Sequence, residues 1–160
     1  MKIAICPGSF DPVTLGHLDI IERAADIFDK VIVLVASNSS KQTMFTAEER
    51  MALIRRCIKA ENVTVDTHEG LLVDYAKQKN AAAIVKGLRA MSDFEYEFQQ
   101  ALTNKSLYPE AETVFLCARG ENMFLSSSMV KEVCKLGGDI STFVPKEIAE
   151  DIYKRCKGDN

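Results

Sequence analysis

Apolar residues in this chain follow two alternating patterns. Short apolar runs stand at residues 3–6, 31–35, 63–65, 83–85 and 114–117, several of them apolar at consecutive positions. Such runs suit strands covered on both faces of a parallel sheet. Between them apolar residues recur at helical spacing, as at Leu18, Ile21, Ala25 and Phe28. This period predicts helices near residues 17–28, 47–60, 71–79, 93–107, 127–136 and 146–156. Thr46 with Glu49, and Ser92 with Glu95, have capping-box spacing, and Gly137-Gly138 stops the fifth helix. The alternation predicts an α/β fold: a single doubly wound, Rossmann-like domain over residues 1–160, with a five-stranded parallel sheet. No linker, repeat or low-complexity stretch divides it. In such sheets ligands bind beyond the carboxyl ends of the strands. That places the loops at 7–16, 36–45, 66–71, 86–92 and 118–126 on one rim, where hydroxyls and charges concentrate.

Composition narrows the picture. The 160 residues suffice for a substantial core, and 47% hydrophobic with 27% charged residues is ordinary for a soluble globular protein. A net charge of −3 without a basic cluster argues against broad nucleic-acid binding. No apolar run approaches the ~20 residues that span a bilayer, so no membrane partner is expected. One Lys2 ahead of a short apolar run makes no secretory signal. The cysteines at 6, 57, 117, 134 and 156 are odd in number and contain no C-x-x-C pair. They read as small hydrophobes in a reducing compartment, with the cytoplasm as the expected location.

The first rim loop carries the strongest chemistry. Cys6-Pro7-Gly8-Ser9-Phe10-Asp11-Pro12-Val13-Thr14-Leu15-Gly16-His17 leads from the first strand into the first helix and holds one of two histidines. Backbone N–H groups at a helix start lack intrahelical partners, and the helix dipole adds positive charge, so the junction suits a phosphate. His17 there can donate a hydrogen bond to a phosphoryl oxygen. A hydroxyl, two glycines, two prolines and a histidine in one loop point to phosphate chemistry more than to chain reversal alone.

Other segments add cations and hydroxyls to the same rim. Lys41 follows Ser37-Asn38-Ser39-Ser40 and leads to Met44-Phe45-Thr46, with Glu48, Glu49 and Arg50 read as helix-surface residues. Lys86-Gly87-Leu88-Arg89 ends the fourth strand, where a lysine is poorly explained by packing. Gly87 lets backbone approach a ligand closely, and Arg89 offers a planar fork for phosphate. Asn122-Met123-Phe124-Leu125-Ser126-Ser127-Ser128 precedes a helix, and its serines both cap that helix and surround a second set of free N–H groups. Lys131 is read as facing solvent, His68 as part of an exposed polar turn, and Phe94 as packing. Leu72, near the start of the third expected helix, suits core packing. There is no P-loop, G-x-G-x-x-G, H-E-x-x-H or G-x-S-x-G motif, and no cluster of metal-ligand spacing. Phosphoryl and nucleotidyl transfer need no covalent nucleophile, because catalysis there is positioning plus charge stabilisation.

These motifs resemble a known family. Thr14-Leu15-Gly16-His17 is similar to the T/H-x-G-H signature of nucleotidyltransferases, which is related to the H-I-G-H element of class I aminoacyl-tRNA synthetases. The surrounding Pro7–Pro12 stretch resembles the phosphopantetheine adenylyltransferases. The segment from Ser40 to Arg50 resembles their S-K-x-x-M-F-T-x-E-E-R, Lys86–Glu97 their R-G-L-R-x-x-x-D-F-E-Y-E, and Leu125–Lys131 their I-S-S-S-x-V-K. Lys86 departs from an arginine, Leu125 from an isoleucine, and Asn122-Met123 from an aromatic–serine pair. The resemblance implies adenylyl transfer from ATP to 4′-phosphopantetheine, with His17 and Ser9 catalytic. It implies ATP contacts from Ser9, Phe10, His17, Gly87, Leu88, Arg89, Glu97, Asn122, Met123, Phe124, Leu125, Ser126, Ser127 and Ser128. Acceptor contacts fall on Ser9, Lys41, Leu72 and Lys86. It further implies Mg²⁺ on the pyrophosphate side, a homohexamer, and inhibition by coenzyme A. Two other readings stay open on residues alone: a relative acting on a nicotinamide or glycerol phosphate, and a flavodoxin-like binding module without turnover.

Overall fold

The computed structural model describes residues 1–37 and 42–158. Its strands are β1 (Ile3–Gly8), β2 (Lys30–Ala36), β3 (Val63–His68), β4 (Ala83–Leu88) and β5 (Glu112–Cys117). Its helices are α1 (Leu15–Ile27), α2 (Ala47–Cys57), α3 (Leu72–Gln78), α4 (Met91–Leu107), α5 (Ser127–Lys135) and α6 (Lys146–Gly158), with a 3-10 turn at Gly120–Asn122. The strands form one parallel sheet in the order β3-β2-β1-β4-β5, the Rossmann-like arrangement the alternating pattern predicts. Among the described residues, no helix is long and apolar enough to cross a membrane.

Both sheet faces are covered, which explains the continuous apolar runs. Successive side chains of a strand point to opposite faces. Ala4, Cys6, Val31, Val33 and Val35 therefore join Ile21, Ile54, Val130, Ile148 and Ile152 on one side. Ile5, Ile32 and Leu34 meet Tyr75, Ala76 and Ala81 on the other. The cysteines are free; Cys6, Cys57, Cys134 and Cys156 are buried as small core residues, whereas Cys117 is exposed at the end of β5. Burial pushes the Cys6 thiol up to about 12.

Two helix starts differ from expectation. α1 begins at Leu15, because Thr14 caps it together with His17: the Thr14 side chain accepts from the His17 backbone N–H, and the His17 ring accepts from the Thr14 backbone. α4 begins at Met91, with Ala90 at the cap and no side-chain cap hydrogen bond. Ser92 is already the second residue of this helix, so the expected Ser92–Glu95 box does not start it. Thr46 and Glu49 do form their box. His68, expected in an exposed turn, closes β3 half-buried, with its ring 5.3 Å from that of Tyr75.

The sheet parts between β1 and β4. β1 runs in register with β2 from Ile3↔Lys30 to Gly8↔Val35, but with β4 only at Ala4↔Ala83 and Ile5↔Ile84. Pro7 has no N–H to extend that ladder. On the far side of the gap, a Cβ on Gly87 would lie 2.9 Å from Ile20 Cγ1. Gly87 thus gives room to α1, where the sequence suggests close approach of a ligand. Gly87→Ala should destabilise the fold by about 1–3 kcal/mol through overpacking. Urea denaturation checks this, and the loss should shrink when Ile20→Ala is added, because the two sites share one contact.

Candidate active site at the parting of the sheet

A cavity of about 340 Å³ opens where β1 and β4 separate. Cys6–Phe10 and Val85–Gly87 form its strand walls, with Thr14, Gly16, His17 and Ile20 on α1's side. Arg89, Glu97, Ala118, Asn122 and Leu125–Ser127 complete it. The location is the switch point of the strand order, where crossovers leave in opposite directions.

His17 is the best-defined polar group there. Its Nδ1 accepts the Thr14 backbone N–H at 3.0 Å. A neutral ring with Nδ1 accepting carries its proton on Nε2, so that nitrogen is the donor available to the cavity. Burial, reinforced by the nearby Arg89 charge, lowers the His17 pKa to about 4. At neutral pH it is an uncharged hydrogen-bond donor. Phe10 meets it edge-on, with ring centroids 5.1 Å apart.

The two helix starts contribute fewer free N–H groups than isolated helices would. On α1, Leu15 N–H donates to the Phe143 carbonyl and His17 N–H to Thr14 Oγ1. Gly16 N–H remains without a partner among the described residues. On α5, Ser126 Oγ accepts from Met129 N–H at 3.1 Å, so its own hydroxyl proton is still available. Ser127 instead donates its hydroxyl to the Pro12 carbonyl at 2.8 Å, which ties α5 to the first loop. Its contribution toward an anion is therefore its backbone N–H.

The cations are held by neighbours. Lys86 Nζ lies 3.1 Å from Glu97 Oε2, so two residues expected to meet different ligands form one ion pair on the cavity wall. Arg89 Nη1 donates to the Leu125 carbonyl at 2.7 Å, and its Nε pairs with Asp93 at 3.3 Å. It thus fastens the loop before α5 to the start of α4.

Of the other residues expected in the site, Ser9, Asn122 and Leu125 line the cavity, Ser9 as an exposed residue. Leu88, Met123, Phe124, Ser128 and Leu72 do not. Leu88 carries its carbonyl to Ala118 N–H in the β4–β5 ladder. Met123 and Phe124 stand exposed, the latter edge-on to Phe143 at 5.7 Å. Ser128 faces a separate groove with Gln42 and Lys131. Leu72 packs against the core beneath α3. Lys41 lies outside the described residues.

Two surface readings are corrected. Arg50 is buried, 4% exposed, and donates to the carbonyls of Ser9, Ala36, Phe45 and Thr46. Lys131 pairs with buried Asp11 at 3.1 Å. Helical periodicity alone cannot mark a buried arginine; the signal is its partners, which come from three separate segments.

The lowered His17 pKa has a consequence for stability. Between pH 6.5 and about 4 the unfolded chain binds a proton at this histidine while the native protein does not. Its contribution is therefore complete above pH 6.5 and is lost as pH falls toward 4. His17→Asn should flatten stability against pH across that window, as measured by denaturant melts at several pH values.

Residues 5–133 match the cytidylyltransferase-like family. The chain is 58% identical to a phosphopantetheine adenylyltransferase of Dictyoglomus turgidum, over 96% of this chain and 97% of that one. It is 57% identical to that of Alkaliphilus oremlandii, over 97% of this chain and 99% of that one. The fold matches that of Plasmodium falciparum nicotinic acid mononucleotide adenylyltransferase complexed with NaAD. The TM-score there is 0.69 over 99% of this chain and 96% of that one, at 14% identity. The position of the cavity, the capped histidine and these relatives agree: the chain belongs to the phosphopantetheine adenylyltransferases, within the cytidylyltransferase-like family.

Proposed function

We propose that this protein transfers the adenylyl group of ATP to 4′-phosphopantetheine, giving dephospho-coenzyme A and pyrophosphate. The observation that carries the mechanism is the fixed tautomer of His17. With Nδ1 engaged by Thr14 N–H, Nε2–H is aimed at the α-phosphate of ATP as charge develops there. Ser9 adds a hydroxyl, and Gly16, Ser127 and Ser128 add backbone N–H groups. Arg89 supplies positive charge beside His17. The nucleophile is the acceptor's phosphate, whose second ionisation near pH ~6 leaves it largely dianionic at neutral pH, so no side chain need remove a proton. It attacks the α-phosphorus in line while pyrophosphate departs. Lys86 and Lys41 are assigned to the acceptor's phosphate, and Phe10, Gly87 and Leu88 to the nucleotide with Asn122–Ser128. Leu72 is assigned to the pantetheine arm.

Mg²⁺ is proposed as the cofactor. Among the described residues no group of three acids could cage it, and the cavity's one carboxylate is already paired with Lys86. That donor set suits an ion held chiefly by nucleotide phosphate oxygens and water. When bound it would neutralise charge on the leaving pyrophosphate.

Assembly as a homohexamer is also proposed. Its support is α4, where none of residues 93–107 is buried and Tyr96, Phe98 and Leu102 are exposed. A helix of this kind gains little from its own chain, and subunit contacts would cover it. Coenzyme A, which carries the product's structure plus one phosphate, is proposed as a feedback inhibitor at the same cavity. The cytoplasm is the proposed location.

Pyrophosphate release from ATP with 4′-phosphopantetheine as sole acceptor tests the activity. In that assay His17→Ala should lower kcat about 10²–10³-fold, the cost of one preorganised donor, with ATP binding little changed. A loss confined to ATP affinity would make His17 a binding residue only.

Lys86→Ala should raise KM for phosphopantetheine far more than for ATP, while Lys86→Arg keeps activity. The geometry adds a control: removing Glu97 by Glu97→Gln frees the Lys86 ammonium and should not reproduce the acceptor-selective loss. Equal effects on both substrates, measured with each varied in turn, would remove Lys86 from the acceptor's site.

A further inference from the structure

Phe10 has a positive φ of 49°, shared among non-glycine described residues only by Asn80. Side chains rarely take this left-handed conformation unless their surroundings hold it. The Phe10 ring is buried, lies over Gly8, where an added Cβ would stand 2.9 Å from its Cζ, and meets the His17 ring. The backbone strain thus sits between the two residues assigned to the transition state, Ser9 and His17.

Two charged residues hold the chain on either side of Phe10. From α2, the Arg50 guanidinium donates to the Ser9 carbonyl at 2.7 Å and to that of Ala36 at 3.1 Å. Its Nε reaches the Phe45 and Thr46 carbonyls at 3.2 and 3.3 Å. The Asp11 carboxylate accepts the Met44 and Phe45 N–H groups, each at 2.9 Å, and pairs with Lys131. Neither Arg50 nor Asp11 lines the cavity, and both are buried. All of Arg50's hydrogen bonds among the described residues go to main-chain carbonyls. A buried cation satisfied in this way is costly to the fold and fixes backbone rather than balancing a carboxylate.

We propose that Arg50 and Asp11 are positioning residues: they clamp Phe10 in its left-handed conformation and thereby aim the Ser9 hydroxyl and the His17 Nε2–H at one reacting phosphorus. With the clamp released, Phe10 relaxes toward negative φ, its ring leaves Gly8 and His17, and the two donors lose their common target. The inference rests on the adenylyl transfer proposed above.

The test is a double-mutant cycle on the full chain, read by pyrophosphate release under single-turnover conditions. Arg50→Lys keeps the charge but not the fork that spans separate carbonyls. It should lower the rate of the chemical step about tenfold or more, with ATP affinity changed less than about twofold, as for a group that acts only in the transition state. In a background that carries both Ser9→Ala and His17→Ala the same substitution should lower the residual rate by less than about twofold, because both donors it aims are gone. Should Arg50→Lys not fold, Asp11→Asn, which is isosteric, carries the same cycle with the same expectation. Equal fractional losses in both backgrounds would overturn the clamp, as would a lower Tm with unchanged rates. An inactive wild-type protein would instead overturn the adenylyl transfer itself, and the clamp with it.

Discussion

The short ladder between β1 and β4 is the constraint on which the site depends. Two strands that pair only at Ala4↔Ala83 and Ile5↔Ile84 must diverge, and the divergence opens the cavity without any loop having to fold back. Pro7 withholds an N–H where the ladder would continue. Glycine at 8 admits the Phe10 ring, and glycine at 87 admits Ile20. Crossover connections then bring the starts of α1 and α5 to the same opening. The firm β1–β2 and β4–β5 ladders on either side keep the two lips apart.

Around that opening, charge is arranged so that few groups are left to find their own geometry. Arg89 is tied to Leu125 and Asp93, Lys86 to Glu97, and Lys131 to Asp11. A polyanionic ligand meets donors whose orientation is already set, which is where electrostatic stabilisation of a transition state is most effective. The neutral state of His17 belongs to the same design. Held by Thr14 and kept uncharged by its surroundings, it offers one directed N–H in place of a diffuse positive charge. The net charge of −3 confines attraction for phosphate to this local cluster.

Farther out, α6 closes the layer that carries α2 and α5. Ile148 and Ile152 are fully buried there, each contributing about 1.5–3 kcal/mol relative to exposure. Arg56–Asp151 and Arg155–Glu49 link α6 to α2 at 2.9 and 2.5 Å. Arg155 holds the Glu49 carboxyl below the usual carboxylate range. Exposed pairs of this kind contribute at most about 1 kcal/mol, so burial carries the helix and the ion pairs set its register. By anchoring α2, this layer also anchors Arg50.

The sequence by itself determined the strand–helix alternation, the parallel sheet and the loop that holds Ser9 and His17. The physical reason is that these rest on local periodicity and on turn chemistry carried by adjacent residues. It also marked Lys86 and Arg89, because charges at the end of a buried strand have few structural explanations, and the serine run, because hydroxyls at a helix start both cap it and surround its free N–H groups. Tertiary structure alone decided what those groups touch. That Lys86 and Glu97 pair, that Ser127 spends its hydroxyl on Pro12, and that Arg50 and Lys131 turn inward all depend on partners distant in sequence. So does the tautomer of His17, in part: Thr14 is near enough to be found from a capping pattern, but burial and Arg89 set its charge. Periodicity reports which face of an element is apolar; it cannot report that three separate segments converge on one guanidinium.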